Sequence, residues 1–179
     1  MANLSGGGSA TNANGLWFEQ ETSLAAALEA AGYMVMDNYV FANGQQVAWI
    51  SRRRSDVYHH FLEPAGIDWT QLLSKQMYPD EAFYNVNTHY MYIIEKKFQS
   101  SPGSVDEKLQ TCDFKRRQYC KLFGAMGIWV EYVYVCNNWF RQDVYRDVVS
   151  YINSVGCHIV YNEIPLHYLG LPPAAEGGE

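Results

Sequence analysis

The sequence predicts an α/β (α+β) fold, with a central mixed sheet of four to five strands flanked by helices. Three observations predict it. The stretches "YMVMDNYVF" and "QQVAWIS" flank "ANG", a hairpin signal, because Asn and Gly take the positive φ that a tight turn needs. Two apolar, aromatic-rich runs, "THYMYIIEKKFQ" and "IWVEYVYVC", stand on either side of a segment with helical periodicity. The chain then continues through "RQDVYRDVVSYINSVG" to "CHIVYN", a second strand-helix-strand crossover, and such crossovers join parallel strands.

Residues 1–14 are small, polar and glycine-rich, and residues 172–179 are similar, so both ends are expected to be flexible. One domain is expected over 15–171. From Gly15, the residues Trp17, Phe18, Glu21, Leu24, Ala25 and Leu28 recur at helical spacing, and "AGY" supplies a glycine stop. The hairpin follows. A helical insert is expected over about 52–76, interrupted at Pro64 and Gly66, and then a turn-rich "YPDEAFYN". Beyond the strand ending in "EKKFQ" come a loop, "SSPGS", and a helix over 105–123, with Ser104 as its cap and Glu107 three residues on.

Of the residues, 48% are apolar and 18% charged, and no apolar run approaches the roughly 18 residues of a membrane span. A cytoplasmic protein is expected. Four cysteines, at 112, 120, 136 and 157, form no C-x-x-C pair, which argues against a zinc knuckle or redox motif. The net charge of −6 argues against nucleic-acid binding by bulk electrostatics, but the positive charge is clustered. Arg52, Arg53 and Arg54 form one basic triplet and Lys115, Arg116 and Arg117 another, and guanidinium clusters of this kind clamp phosphates. Both triplets are candidate DNA contacts. His59 and His60 are adjacent, point in different directions on a helix, and have no third ligand at suitable spacing, which argues against a metal site there.

The chemistry gathers at the end of the most hydrophobic strand. Pro79-Asp80 precedes Glu95-x-Lys97, and Glu95 and Lys97, two apart on a strand, face the same side while Lys96 faces the other. Two carboxylates with a main-chain carbonyl and water suit the octahedral oxygen coordination of Mg²⁺, and a lysine can hold the attacking water. Glu81 is the alternative ligand if the turn is shifted by one. Glu21 shares the apolar stripe of the first helix, where an unpartnered carboxylate costs several kcal/mol that a metal or bound water would offset. Glu19 is the runner-up.

Asp80, Glu95 and Lys97 in this order resemble the motif of the PD-(D/E)XK nuclease superfamily, the restriction-endonuclease-like fold. The segment "IIEKKFQSSPGSVDEKLQTCDFKRRQY" is similar to the corresponding region of small bacterial and phage members. The helical insert departs from the family's order. The resemblance implies metal binding by Asp80 and Glu95, with Glu21 as a further acid from the first helix. It also implies Mg²⁺ as cofactor, with Mn²⁺ able to substitute, and a glutamine on the helix after the third strand that orients the site, Gln118 or Gln110. The expected activity is Mg-dependent hydrolysis of double-stranded DNA, as a type II restriction endonuclease acting as a homodimer. A structure-specific repair or recombination nuclease and a non-catalytic DNA-binding module are the alternatives.

Overall fold

The computed structural model describes Phe18, residues 22–103 and residues 105–171. The two ends expected to be flexible, together with Glu19, Glu21 and Ser104, lie outside the described residues. The fold is mixed α/β, built on a seven-stranded sheet whose strands lie side by side in chain order. The strands are β1 Met34–Met36, β2 Tyr39–Ala42, β3 Gln45–Ile50, β4 Glu81–Asn85, β5 Tyr90–Lys97, β6 Trp129–Cys136 and β7 His158–Tyr161. From β1 to β5 the neighbours are antiparallel; β6 and β7 add in parallel. Helices α1 Leu24–Ala30, α2 Val105–Leu109, α3 Cys112–Gly124 and α4 Arg146–Ser154 accompany it. The insert carries a π-helical segment, Val57–Leu62, and a 3₁₀ turn, Trp69–Gln71.

Seven strands replace the expected four to five, for two local reasons. The run "YMVMDNYVF" is two strands, because Asp37 takes a left-handed φ of 51° and turns the chain between Met36 and Tyr39. The segment "EAFYN", read as part of a turn, is β4. Ala82 and Phe83 are both fully buried, one in the cluster on each side of the sheet, so this strand shows no apolar-polar alternation. The hairpin at Asn43-Gly44 is present, with φ of 51° and 76°.

Two helices also differ from expectation. The helix over 105–123 is split, because Thr111 turns its hydroxyl back onto the Lys108 carbonyl at 2.8 Å, a local bond that competes with the helical ladder. The first described helix begins at Leu24. Thr22 closes a turn onto the Phe18 carbonyl with both its N–H and its hydroxyl, and Ser23 is extended.

Each face of the sheet has its own core. On one, Ala82, Met91, Ile93, Tyr132 and Tyr134 pack against the insert and helices α3 and α4 through Tyr58, Leu62, Tyr119, Phe123 and Ile152. On the other, Phe83, Tyr92, Ile94, Val133 and Val135 pack against Leu24, Leu28 and Leu169. Strand alternation therefore decides which helices each residue of β4 and β5 meets. Among the described residues, no helix is long and apolar enough to cross a membrane.

Candidate functional site

β4 and β5 bring Asp80 and the Glu95-Lys96-Lys97 segment to one end of the sheet. Glu81 pairs with Ile94, so one further step of the antiparallel register sets Asp80 opposite Glu95. Residues opposed in this way have Cβ atoms about 4.5–5.5 Å apart. The Lys96 N–H donates to Asp80 Oδ2 at 2.8 Å, which fixes that carboxylate against β5. By the two-residue period, Asp80 follows Ala82 and Glu95 follows Ile93, on the face covered by α3.

Both acids are engaged by cations. Arg54 Nη2 donates to Asp80 Oδ1. Lys97 Nζ lies 2.9 Å from Glu95 Oε2, and Lys115 Nζ, arriving from α3, lies 3.3 Å from the same oxygen. Glu95 is only 6% exposed, so two ammonium groups compensate a charge that water hardly reaches. Beneath it lie Tyr119 and Tyr132. Burial pushes both hydroxyls far above the ordinary tyrosine range, and the charge of Glu95 pushes them further. Asp80 acts on Tyr119 as well. Both rings stay neutral at physiological pH and form a floor rather than a base.

The opposite face carries a second acid and lysine. Lys96 Nζ sits 3.1 Å from Glu81 Oε2 as an ion pair rather than an aligned hydrogen bond, and Leu24 N–H donates to Glu81 Oε1 at 3.2 Å. Burial raises the Glu81 pKa, with Lys96 opposing the rise. Glu81 is thus turned away from Asp80 and Glu95 and ties the sheet to α1. The alternative ligand of the sequence reading therefore does not face the other two acids.

Arg54 reaches Asp80 because its loop is built around a residue the sequence reading missed, Asp56. Asp56 Oδ2 accepts from the N–H groups of Arg52 at 2.7 Å and Arg53 at 2.9 Å, and from Asn38 Nδ2 at 2.8 Å. Burial would raise its pKa, but these bonds from Asn38, Arg53 and Arg52, with His60, hold it below the ordinary carboxylate value. An aspartate three and four residues after the amides it binds is the signal that was available. Ser51 pairs with Ala82 through N–H and hydroxyl, and the Tyr58 hydroxyl bonds both polar groups of the Met77 backbone, so the insert is pinned on both sides of Pro79-Asp80.

The two basic triplets divide. Arg52 and Arg53 are exposed and line a groove of about 600 Å³ with Tyr39 and His60, while Arg54 joins the acids. Lys115 joins the acids too. Arg116 lies beside Gly156, and Arg117 pairs on the surface with Asp113 at 2.9 Å. Gln118 accepts from Lys121 at 3.4 Å, Gln110 stands in the break between α2 and α3, and among the described residues neither has a hydrogen bond to an acid. Gln99 was overlooked. It is buried two residues beyond Lys97, and among the described residues its side-chain amide has no hydrogen-bond partner.

Among the described residues, no group of three or more His, Cys, Asp or Glu side chains is placed to hold a metal ion. The pair Asp80 and Glu95 nevertheless suits Mg²⁺, a hard cation that binds through one or two carboxylates and keeps several waters. Positive charge already occupies both carboxylates. No protein-family model matches the chain, and no curated protein or solved structure matches it either.

Proposed function

We propose that the chain is a magnesium-dependent endonuclease that hydrolyses DNA phosphodiester bonds on a restriction-endonuclease-like core. The observation that supports this best is the opposition of Asp80 and Glu95 on one face, with Lys97 beside Glu95. Asp80 and Glu95 would hold Mg²⁺, or Mn²⁺ in its place. When bound, the ion supplies Lewis-acid polarisation of a phosphoryl oxygen and lowers the pKa of a bound water. Lys97 holds the attacking water and donates to the charge that develops on the phosphate. Arg54, with 56% of its side chain exposed, turns from Asp80 to a phosphate oxygen, and Lys115 adds a second positive group on the α3 side. The tyrosine floor keeps water from the buried side of Glu95, which strengthens each charge interaction there.

The chain order supports the same core: antiparallel strands that carry the acids, then α3, then a parallel strand. Sequence-specific cutting of both strands follows most economically from a homodimer that offers one site to each strand. A plasmid digest in Mg²⁺ or Mn²⁺ tests the reading. Discrete bands are expected. Smearing or branch-selective cutting would put a structure-specific repair nuclease in its place, and no cleavage with either ion would leave a DNA-binding module.

A further inference from the structure

Asp80 is held by two donors of different kinds. Oδ2 accepts from the main-chain N–H of Lys96, a residue of β5, and Oδ1 accepts from the side chain of Arg54. The amide cannot leave without opening the sheet, whereas the Arg54 side chain is 56% exposed and can turn through its own rotamers. Of the two, Arg54 is the exchangeable partner. The main chain just before it is fixed, since the N–H groups of Arg52 and Arg53 donate to Asp56 Oδ2 and the Arg53 carbonyl accepts the Asp56 N–H at 3.0 Å. The guanidinium can therefore change partner while its loop stays in place.

A divalent cation on Asp80 and the Arg54 guanidinium repel one another, so each weakens the other's hold on the carboxylate. A phosphate offers the guanidinium an alternative of the same geometry, because its fork of N–H donors matches phosphate oxygens as well as carboxylate oxygens. We infer that Arg54 is a latch on the metal site: it holds Asp80 until a DNA phosphate takes its guanidinium, so that the cation and the duplex each bind more tightly in the presence of the other. Linkage makes the two enhancements equal. The inference rests on the nuclease reading and adds its regulation, a cation site that the free protein keeps latched and the substrate opens.

Two binding measurements on the parent, Arg54→Gln and Arg53→Gln test it. The first titrates Mn²⁺ into DNA-free protein and reads the free ion by its paramagnetic resonance signal. Arg54→Gln should bind Mn²⁺ about tenfold more tightly than the parent. Arg53→Gln removes the same charge from the same loop without touching Asp80, and should bind it as the parent does. The second compares affinity for a fluorescent random-sequence duplex in EDTA and in Ca²⁺. The gain on adding Ca²⁺ should be about tenfold smaller in Arg54→Gln than in the parent, because the variant has no latch to open. Unchanged or weaker Mn²⁺ binding by Arg54→Gln, a rise that Arg53→Gln matches, or an equal Ca²⁺ gain in parent and variant would overturn the latch while leaving a parent that cuts in Mg²⁺ a nuclease. A parent that cuts in neither Mg²⁺ nor Mn²⁺ and gains no duplex affinity from Ca²⁺ would overturn the nuclease reading itself, and this inference with it.

Discussion

The main-chain N–H of Lys96 donates to Asp80 Oδ2 at 2.8 Å, while the Lys96 side chain meets Glu81 on the opposite face at 3.1 Å. Asp80 and Glu81, neighbours in sequence, are thus held by one residue of β5 on two sides of the sheet. The same alternation separates the two lysines, with Lys97 on Glu95 and Lys96 on Glu81. One lysine sits at the proposed chemistry and the other at the junction with α1.

Their replacement should therefore have opposite consequences. Lys97→Met should slow cleavage by about a hundredfold to a thousandfold, with a smaller loss of stability than Lys96→Met because Lys115 still faces Glu95. Lys96→Met should cost about 3 kcal/mol in urea unfolding, since it leaves the buried Glu81 carboxylate without its ion pair. That deficit depends on pH. Burial already raises Glu81, and losing Lys96 raises it further, so the folded variant takes up a proton before the unfolded chain does. The deficit is largest above the raised pKa and shrinks as the pH falls through it. Equal loss of activity in the two variants would contradict the strand register.

Asp56 should act through the arginine loop. Asp56→Ala strands three donors and is expected to cost about 2–3 kcal/mol in unfolding measurements, with slower cleavage as Arg54 loses its placement. Its carboxyl is held below the ordinary value in the folded protein, so its contribution is complete above about pH 5 and is lost as the pH falls through the depressed pKa. Unfolding curves of parent and variant should converge in acid. A gap that widened on acidification would contradict this account of Asp56.

Much of this geometry was legible because it depends on period alone. The alternation of Glu95, Lys96 and Lys97 follows from a strand, and β5, β6 and the Asn43-Gly44 hairpin are long or chemically marked enough to read. β4 was not legible, since a five-residue strand buried on both faces and preceded by Pro79-Asp80 has the composition of a turn. The break at Thr111 depends on one hydroxyl choosing a local carbonyl. Lys115 enters the site from a distant segment and Asp56 meets Asn38 only in the fold, and no local pattern encodes either contact. A basic triplet reads as one patch in sequence, whereas helix and loop geometry sends its members in different directions.

Arg52 and Arg53 should carry the sequence-independent part of DNA affinity, because they are exposed along a groove in the loop that also carries Arg54. Replacing both by alanine should weaken binding to all duplexes. It should also flatten the plot of log affinity against log salt by about 1.8, since each phosphate that an arginine no longer neutralises removes about 0.9 from the slope. Isotherms at several salt concentrations in Ca²⁺ measure this. An unchanged slope would move the DNA-facing surface to the exposed side of α3 around Arg117.

The central claim is that Asp80 and Glu95 together support metal-dependent cleavage, and conversion of supercoiled plasmid by the parent, Asp80→Asn and Glu95→Gln tests it most directly. Each variant keeps the shape of the side chain and removes its charge, so circular dichroism should report a parent-like fold. The parent should cut in Mg²⁺ and stop in EDTA, and each variant should be slower by about a thousandfold or more. Cleavage by either variant within a few-fold of the parent, or cleavage by the parent that persists in EDTA, would contradict the account.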